Sequence, residues 1–339
     1  MRSGVLAGGN WIVDRVKIVE RWPAQDGLSL ILGETVGNGG AAYNVLIDLA
    51  RLKAPFPLGG IGLIGDDGDG RRIRADCRSH GINSRRLYVT RKAPTSYTDV
   101  VTVRRTGRRT FFHQCGANAL LEPKHFNFGK SRAKWFHLGY LLLLDELDRI
   151  GPDGLPRAAD VLRRARAAGM RTSLDSASIS GDRLARIVPP VLPFVDCLFA
   201  NDFEAGKLTG IPLSSRGRLK LAAVRSAARR LLAFGVRKWI IVHSPEGVWA
   251  SSAAGREIWQ PSVRVPPSEV KGAAGAGDAV AAGVLYGLHQ GWRMPDSLRL
   301  AVCAAAASLR DPTCSRGVVG AAECLALGRR FGFRTGPRS

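Results

Sequence analysis

Over residues 1–115 the apolar positions come in short runs broken by glycines and charges, a spacing that suits strands better than helices. The runs at 4–8, 11–19, 28–35, 58–65, 85–90, 97–104 and 109–113 predict strands or sheet edges. Ser96–Arg104 and Arg109–His113 flank Thr106-Gly107-Arg108, which predicts a hairpin. One helix interrupts this section, Ala41 to Leu52, carrying apolar Val45, Leu46, Leu49 and Leu52. From residue 133 the rhythm changes. Apolar runs at Trp135–Gly139, Arg171–Leu174, Val195–Ala200 and Lys238–His243 alternate with helical stretches at 156–168 and 216–234. The second stretch sets Leu221, Val224, Ala228 and Leu231 on one face. A helical pair, 278–290 and 296–309, follows. This alternation predicts an α/β fold with a doubly wound, mostly parallel sheet flanked by helices. Residues 1–327 are expected to form one domain, and the basic segment 328–339 a loose tail.

The 339 residues, 45% of them hydrophobic, are ample for such a core. No apolar run approaches the ~18–20 residues of a membrane span. The first residues lack the apolar stretch of a signal peptide, so a cytoplasmic protein is expected. Six cysteines (77, 115, 197, 303, 314 and 324) are scattered without a CxxC pair, which predicts free thiols in a reducing compartment. The net charge of +22 raises the question of nucleic acid. Its arginines lie in dispersed pairs such as Arg71-Arg72, Arg163-Arg164 and Arg229-Arg230, and no basic run reaches five residues. Solvated helix faces account for them, and nucleic acid is not an expected partner. Anionic substrates would still be attracted.

Three short patterns imitate known sites. Gly60-Ile61-Gly62-Leu63-Ile64-Gly65 matches GxGxxG, but residues 81–88 hold no acid for a ribose, so a strand and its turn are expected. Asp66, Asp67 and Asp69 lack the Glu that ends an EF-hand loop. Gly129-Lys130-Ser131 lacks the leading glycine of a P-loop, Lys124 standing there instead.

The segment Gly272-Ala273-Ala274-Gly275-Ala276-Gly277-Asp278-Ala279-Val280 carries the chemistry. A turn of small residues lets a ligand approach the backbone, and a helix of Ala281, Ala282, Val284 and Leu285 follows. Turn and helix N-terminus make an anion cradle. Asp278 adds a carboxylate, a combination that suits phosphoryl transfer to a hydroxyl. In this reading Asp278 takes the proton and the N–H groups of Gly275, Ala276, Gly277 and Asp278 hold the phosphoryl oxygens. Asp14, at a strand end, can accept two hydroxyls of a polyol, and Asn44 can give and take hydrogen bonds from the same molecule. Gly39 and Gly40 let the chain pass close to a ligand. Asn201 and Glu204 follow a strand, and their spacing of three fits one helix face or a helix cap, two readings that can hold together.

Four stretches in order resemble the ribokinase-like sugar kinases, the PfkB carbohydrate kinase family. They are Gly8–Asp14; Gly37–Val45 with Leu49–Leu52 and Ile61–Gly70; Asn201–Glu204 with Leu208-Thr209-Gly210; and Gly272–Val280. The resemblance implies a kinase using ATP and Mg²⁺, with a sugar or sugar-like acceptor bound by Asp14, Gly39, Gly40 and Asn44. It implies that Asn201 and Glu204 organise Mg²⁺ through water, and that His243–Gly247 and Cys303–Gly317 meet the nucleotide. It also implies a small β-sheet lid from residues 11–35 and 89–115, with Trp11, Tyr97 and Phe112 as lining candidates and a homodimer through the lid as an option. The chain departs from the family at Gly272-Ala273-Ala274, where Asp and Thr are common, which puts a monovalent cation in doubt. His243-Ser244-Pro245 and Asp175-Ser176-Ala177-Ser178 also depart, so ordinary ribose or fructose specificity does not carry over. The rival expectations are a nucleoside kinase of the same fold and a non-catalytic sugar- or nucleotide-binding regulator.

Overall fold

The computed structural model describes residues 1–179, 181–215 and 218–336. Its longer strands and helices, in chain order, begin with β1 (Val5–Gly9), β2 (Ile12–Val19), β3 (Ile31–Gly39) and α1 (Ala41–Arg51). Next come β4 (Leu58–Gly65), α2 (Gly68–Ser79), β5 (Asn83–Thr90), β6 (Ser96–Val103), β7 (Arg109–Gln114) and β8 (Trp135–Leu141). The middle of the chain supplies α3 (Arg157–Ala167), β9 (Arg171–Ser176), β10 (Cys197–Asn201), α4 (Asp202–Thr209) and α5 (Leu221–Ala233). The last part holds β11 (Trp239–Ser244), β12 (Gly247–Ser252), β13 (Glu257–Pro261), α6 (Ala276–Gln290), α7 (Met294–Ser308) and α8 (Ala321–Phe331).

Nine strands make the main sheet in the order β13-β12-β11-β10-β9-β8-β1-β4-β5. It is parallel from β5 to β11, and β12 and β13 are added as antiparallel neighbours. Two clusters of buried side chains cover its faces. One gathers α1, α6 and α7 around Leu46, Leu49, Leu285 and Ala301; the other gathers α3 and α5 around Val161, Leu162 and Leu231. The doubly wound expectation therefore holds. Among the described residues, no helix is long and apolar enough to cross a membrane. All six cysteines are free.

A second sheet of four strands, β3-β2-β6-β7, stands apart. Strand β2 is antiparallel to β3 and parallel to β6, and β6 and β7 form the expected hairpin. Its third segment is Ile31–Gly39 rather than 28–35, so the small sheet runs directly into α1 at Gly40. Residues 89–90 do not belong to it; they end β5, the edge of the main sheet.

Several expectations are corrected. The aspartates after Gly65 open a helix: Asp67 caps α2 by accepting the Gly70 N–H at 2.8 Å. Ile73 and Cys77 are its only buried large side chains, too narrow an apolar stripe to mark a helix in the sequence. The expected helix 216–234 starts at Leu221, and residues 216–217 of that expectation lie outside the described residues. The tail does not begin at 328. Leu327 and Gly328 are buried in α8, and Phe333 bridges to Val263. A Cβ on Gly328 would meet the Phe333 ring at 2.7 Å and the Cys303 sulfur at 2.9 Å, so this end is packed down through Arg334. Residues 337–339 lie outside the described residues. The GxGxxG pattern seats an aromatic ring: Cβ atoms on Gly60 and Gly62 would lie 2.5 and 2.1 Å from Trp11, whose indole donates to Ile61 O at 2.9 Å. Trp11 is fully buried there and lines no lid.

Candidate active site

Helix α6 begins at Gly275, whose φ of 77° is left-handed and whose added Cβ would lie 2.0 Å from Cys314 O. Only glycine fits there. Ala279 N–H closes the first helical bond on Gly275 O at 2.9 Å. Ala276 N–H makes a long 3.5 Å contact to Ala273 O, and no backbone acceptor within the described residues takes the N–H groups of Gly277 or Asp278. The helix N-terminus thus offers two free donors and one loosely held.

Asp278 lies in that first turn, buried to 2% exposure. Its Oδ2 accepts from Asn44 Nδ2 at 2.8 Å and from the Tyr140 hydroxyl at 3.0 Å, while Oδ1 is buried without a partner. Burial pushes its carboxyl up to about 7, against the two hydrogen bonds, which favour the charged form; the nearby Asp14 charge raises it further. Asn44, expected to bind the acceptor, here orients Asp278 through its amide N–H, and its Oδ1 is left without a partner. Tyr140 was not anticipated. It holds φ 51°, a strained value for an aromatic residue, beside a register shift in the β8–β9 pairing.

Asp14 faces the same space. Its Oδ2 is 3.4 Å from Cys314 Sγ, and burial pushes its carboxyl up to about 6, with the thiol contact acting the other way. A Cβ on Gly39 would lie 2.2 Å from Asp14 Oδ2, and one on Gly40 (φ 93°) 2.5 Å from Asn10 O. The approach that leaves no room at these glycines is made by the protein itself, a movable side chain at Gly39 and the backbone at Gly40, where the sequence reading expected a ligand.

Pairing of β2, β6 and β7 aligns Asp14, Thr98 and His113 across one face of the small sheet, and Thr98 Oγ1 contacts His113 Nδ1 at 2.9 Å. Val16, Val100 and Phe111 follow two residues along on that face. Tyr97 and Phe112 fall on the opposite face, where Arg15 covers the Tyr97 ring and Trp22 stacks on Phe112. They cannot line the Asp14 side.

Asn201 and Glu204 do form a capping box: Asn201 Oδ1 accepts the Glu204 N–H at 2.8 Å and Glu204 Oε2 accepts the Asn201 N–H at 2.9 Å. Ser178, from the divergent segment after β9, donates to Glu204 Oε1 and accepts from Asn201 Nδ2 at 2.8 Å. Burial pushes Glu204 up to about 7, opposed by the Ser178 and Asn201 bonds. Buried Asp175 is pushed well above the usual carboxylate range by burial and by the charges of Glu204 and Asp278. These oxygens suit a hard cation, whose charge would relieve their repulsion. Among the described residues no three acidic, histidine or cysteine side chains form a cage. Carboxylate and amide oxygens are the kind of donor that a hydrated Mg²⁺ takes.

His243, aligned with Asn201 in the β10–β11 pairing, lies against the Gly275–Asp278 turn: a Cβ on Gly277 would meet its Cε1 at 2.9 Å. Burial lowers its pKa to about 4, so the ring is neutral near pH 7. Gly247 pairs with Ser244, the neighbour of His243. It is buried against the Trp259 ring and Gln260 O, close packing that leaves no room for a side chain. Of the segment 303–317, Cys303 belongs to the α7 core, while residues 311–314 back the turn at Gly272 and Gly275.

Residues 5–319 match the family described as pfkB family carbohydrate kinase. An ATP-dependent ribose-1-phosphate kinase of Halopiger xanaduensis is 30% identical over 205 residues, 60% of this chain and 63% of that protein. The chain thus aligns with less than two thirds of that relative's length. Among solved structures, an Arabidopsis thaliana ribokinase complexed with ribose and ATP superposes with a TM-score of 0.77 at 21% identity, covering 96% of this chain and 99% of that one. An E. coli protein described as a ribokinase II, in complex with ATP and Mg²⁺, gives 0.75 at 20% identity, covering 97% and 99%.

Proposed function

Starting from a chain that belongs to the pfkB family of carbohydrate kinases, we propose that it transfers the γ-phosphate of ATP to a hydroxymethyl group of a sugar or sugar-like acceptor. The observation that carries this reading is Asp278 itself: a buried carboxylate with one oxygen fixed by two donors and the other free, set at a helix N-terminus with unpaired N–H groups. Asp14, with Asn44 Oδ1, holds the acceptor so that one hydroxyl meets Asp278 Oδ1. As the acceptor oxygen bonds to the γ-phosphorus, its proton passes to Asp278 and the bond to the ADP oxygen breaks. The N–H groups of Gly277 and Asp278, with Ala276, steady the charge on the phosphoryl oxygens. Mg²⁺, when bound, neutralises phosphate charge, and Asn201, Glu204 and Asp175 are the residues that would order its waters. The small sheet serves as the lid that keeps water from competing for the phosphoryl group.

The monovalent cation common among such enzymes is not part of this proposal, because Gly272-Ala273-Ala274 offers no side-chain oxygen. A nucleoside acceptor is the second reading. Phe111, 58% exposed on the Asp14 face of the small sheet, gives a base something to pack on. A screen of ADP release over pentoses, hexoses, their phosphates and nucleosides tests both. Release with a sugar supports the first reading, release with nucleosides alone the second, and none with any polyol rejects the kinase assignment.

A further inference from the structure

We propose that Arg109, on the lid strand β7, engages the phosphoryl group in flight and adds a fixed side-chain positive charge to the backbone anion hole. The proposal rests on the kinase reading above. Arg109 pairs with Thr102 and lies four residues before His113, so the alternation of β7 sets its side chain on the face that carries Asp14, Thr98 and His113. It reaches the phosphate loop. A Cβ on Gly272 would lie only 2.6 Å from Arg109 Nη2. Gly272 has no left-handed φ that would call for glycine. The missing side chain therefore makes room for the guanidinium.

Among the described residues Arg109 has no carboxylate within 4.0 Å and no side-chain hydrogen-bond partner, whereas Arg15 of the same sheet is paired with Asp69 of α2, and Lys17 with Asp99 of the neighbouring strand. Cys314 ties the geometry together: its thiol feels the negative charges of Asp14 and Asp278 and, in the opposite sense, the positive charge of Arg109. A guanidinium left unpaired beside a loop of free N–H groups has the fork that matches phosphate oxygens. The need is also visible. Asp14, Asp175, Glu204 and Asp278 surround a reaction whose transferred group is itself anionic.

The test uses the full chain with Mg²⁺, ATP and the best acceptor of the screen. Arg109→Ala should lower kcat ~10²–10³-fold with KM for ATP and acceptor little changed. Arg109→Lys should recover part of the loss, and added guanidinium chloride should partly rescue Arg109→Ala but not slow or speed the wild type. Arg108→Ala, one residue nearer the hairpin tip, serves as the control and should match the wild type. A readout free of any acceptor is the affinity for Mg·ADP with and without aluminium fluoride, a mimic of the transferring phosphoryl group. The fluoride should tighten ADP binding to the wild type by tenfold or more than to Arg109→Ala, while ADP alone binds both equally. If no acceptor turns over, the kinase reading falls, and this comparison still decides the role of Arg109. Unchanged kcat with unchanged fluoride response overturns the proposal. So does a rise confined to the acceptor KM, which would make Arg109 an acceptor-recognition residue.

Discussion

The Tyr140 hydroxyl and the Asn44 amide converge on one oxygen of Asp278, at 3.0 and 2.8 Å, and leave its other oxygen bare. The two donors hold the carboxylate in one rotamer and favour its charged form, while burial opposes that form. The balance near 7 suits a base that must be free at neutral pH and still hold a proton in transit. Tyr140→Phe removes one donor. The proton affinity of Asp278 should then rise, and the acidic limb of the kcat–pH profile should move to higher pH. Profiles of wild type and Tyr140→Phe between about pH 5 and 9 check this. A limb that stays in place, or moves to lower pH, would show that Tyr140 does not set the charge of Asp278.

Asp278→Asn keeps the size of the side chain and its place in the first turn of α6, but it cannot take a proton. Turnover should fall ~10²–10⁴-fold. ATP affinity, measured by calorimetry, should change little, because the N–H groups of the turn remain. Turnover close to wild type would sink the assignment of the base.

How much of this was legible in the sequence depends on whether the signal was local. Strand β4 was read at its full span, Leu58–Gly65, because an apolar run between turn residues is a local pattern. Helix α2 was missed because Gly68-Asp69-Gly70-Arg71-Arg72 looks like a loop and only a narrow apolar stripe faces the sheet. Asp278, Asp14 and Asn201 sit in short motifs whose composition betrays them. Tyr140 does not: its aim depends on a positive φ and a register shift at the end of β8, neither of which its neighbours announce. Arg109 was one arginine among many until sheet register gave it a face. Tyr97 and Phe112 failed as lid residues for the same reason, since alternation along a strand has no inside or outside until the sheet is placed.

Gly39 and Gly275 make separable predictions. A Cβ at 39 would collide with Asp14 Oδ2, a movable side chain, so Gly39→Ala should chiefly raise the acceptor KM. A Cβ at 275 would meet a backbone carbonyl at 2.0 Å in a left-handed conformation, so Gly275→Ala must shift the turn itself. That variant should lose kcat with any acceptor. Steady-state kinetics of both should therefore diverge. If both changed only the acceptor KM, the turn at Gly275 would not be the anion hole.

Asp48 supplies a prediction about stability. It lies one helical turn beyond Asn44 on α1, is fully buried, and neither carboxylate oxygen has a hydrogen-bond partner. Burial pushes its pKa well above the usual value, the Asp278 charge adds to this, and Arg51 acts against it. The folded protein thus keeps a proton that the unfolded chain releases above about pH 4. Below that pH both states are protonated and the group has no effect on stability. As pH rises from there toward the folded-state value, each unit costs the wild type up to about 1.4 kcal/mol relative to a side chain that cannot ionise. Asp48→Asn is such a side chain at nearly the same volume. Whatever its stability at low pH, its Tm relative to wild type should climb between about pH 5 and 8. Thermal melts at matched ionic strength read the difference directly. A gap that stays constant, or closes, over that range would mean that Asp48 is ionised and satisfied in the folded protein at low pH.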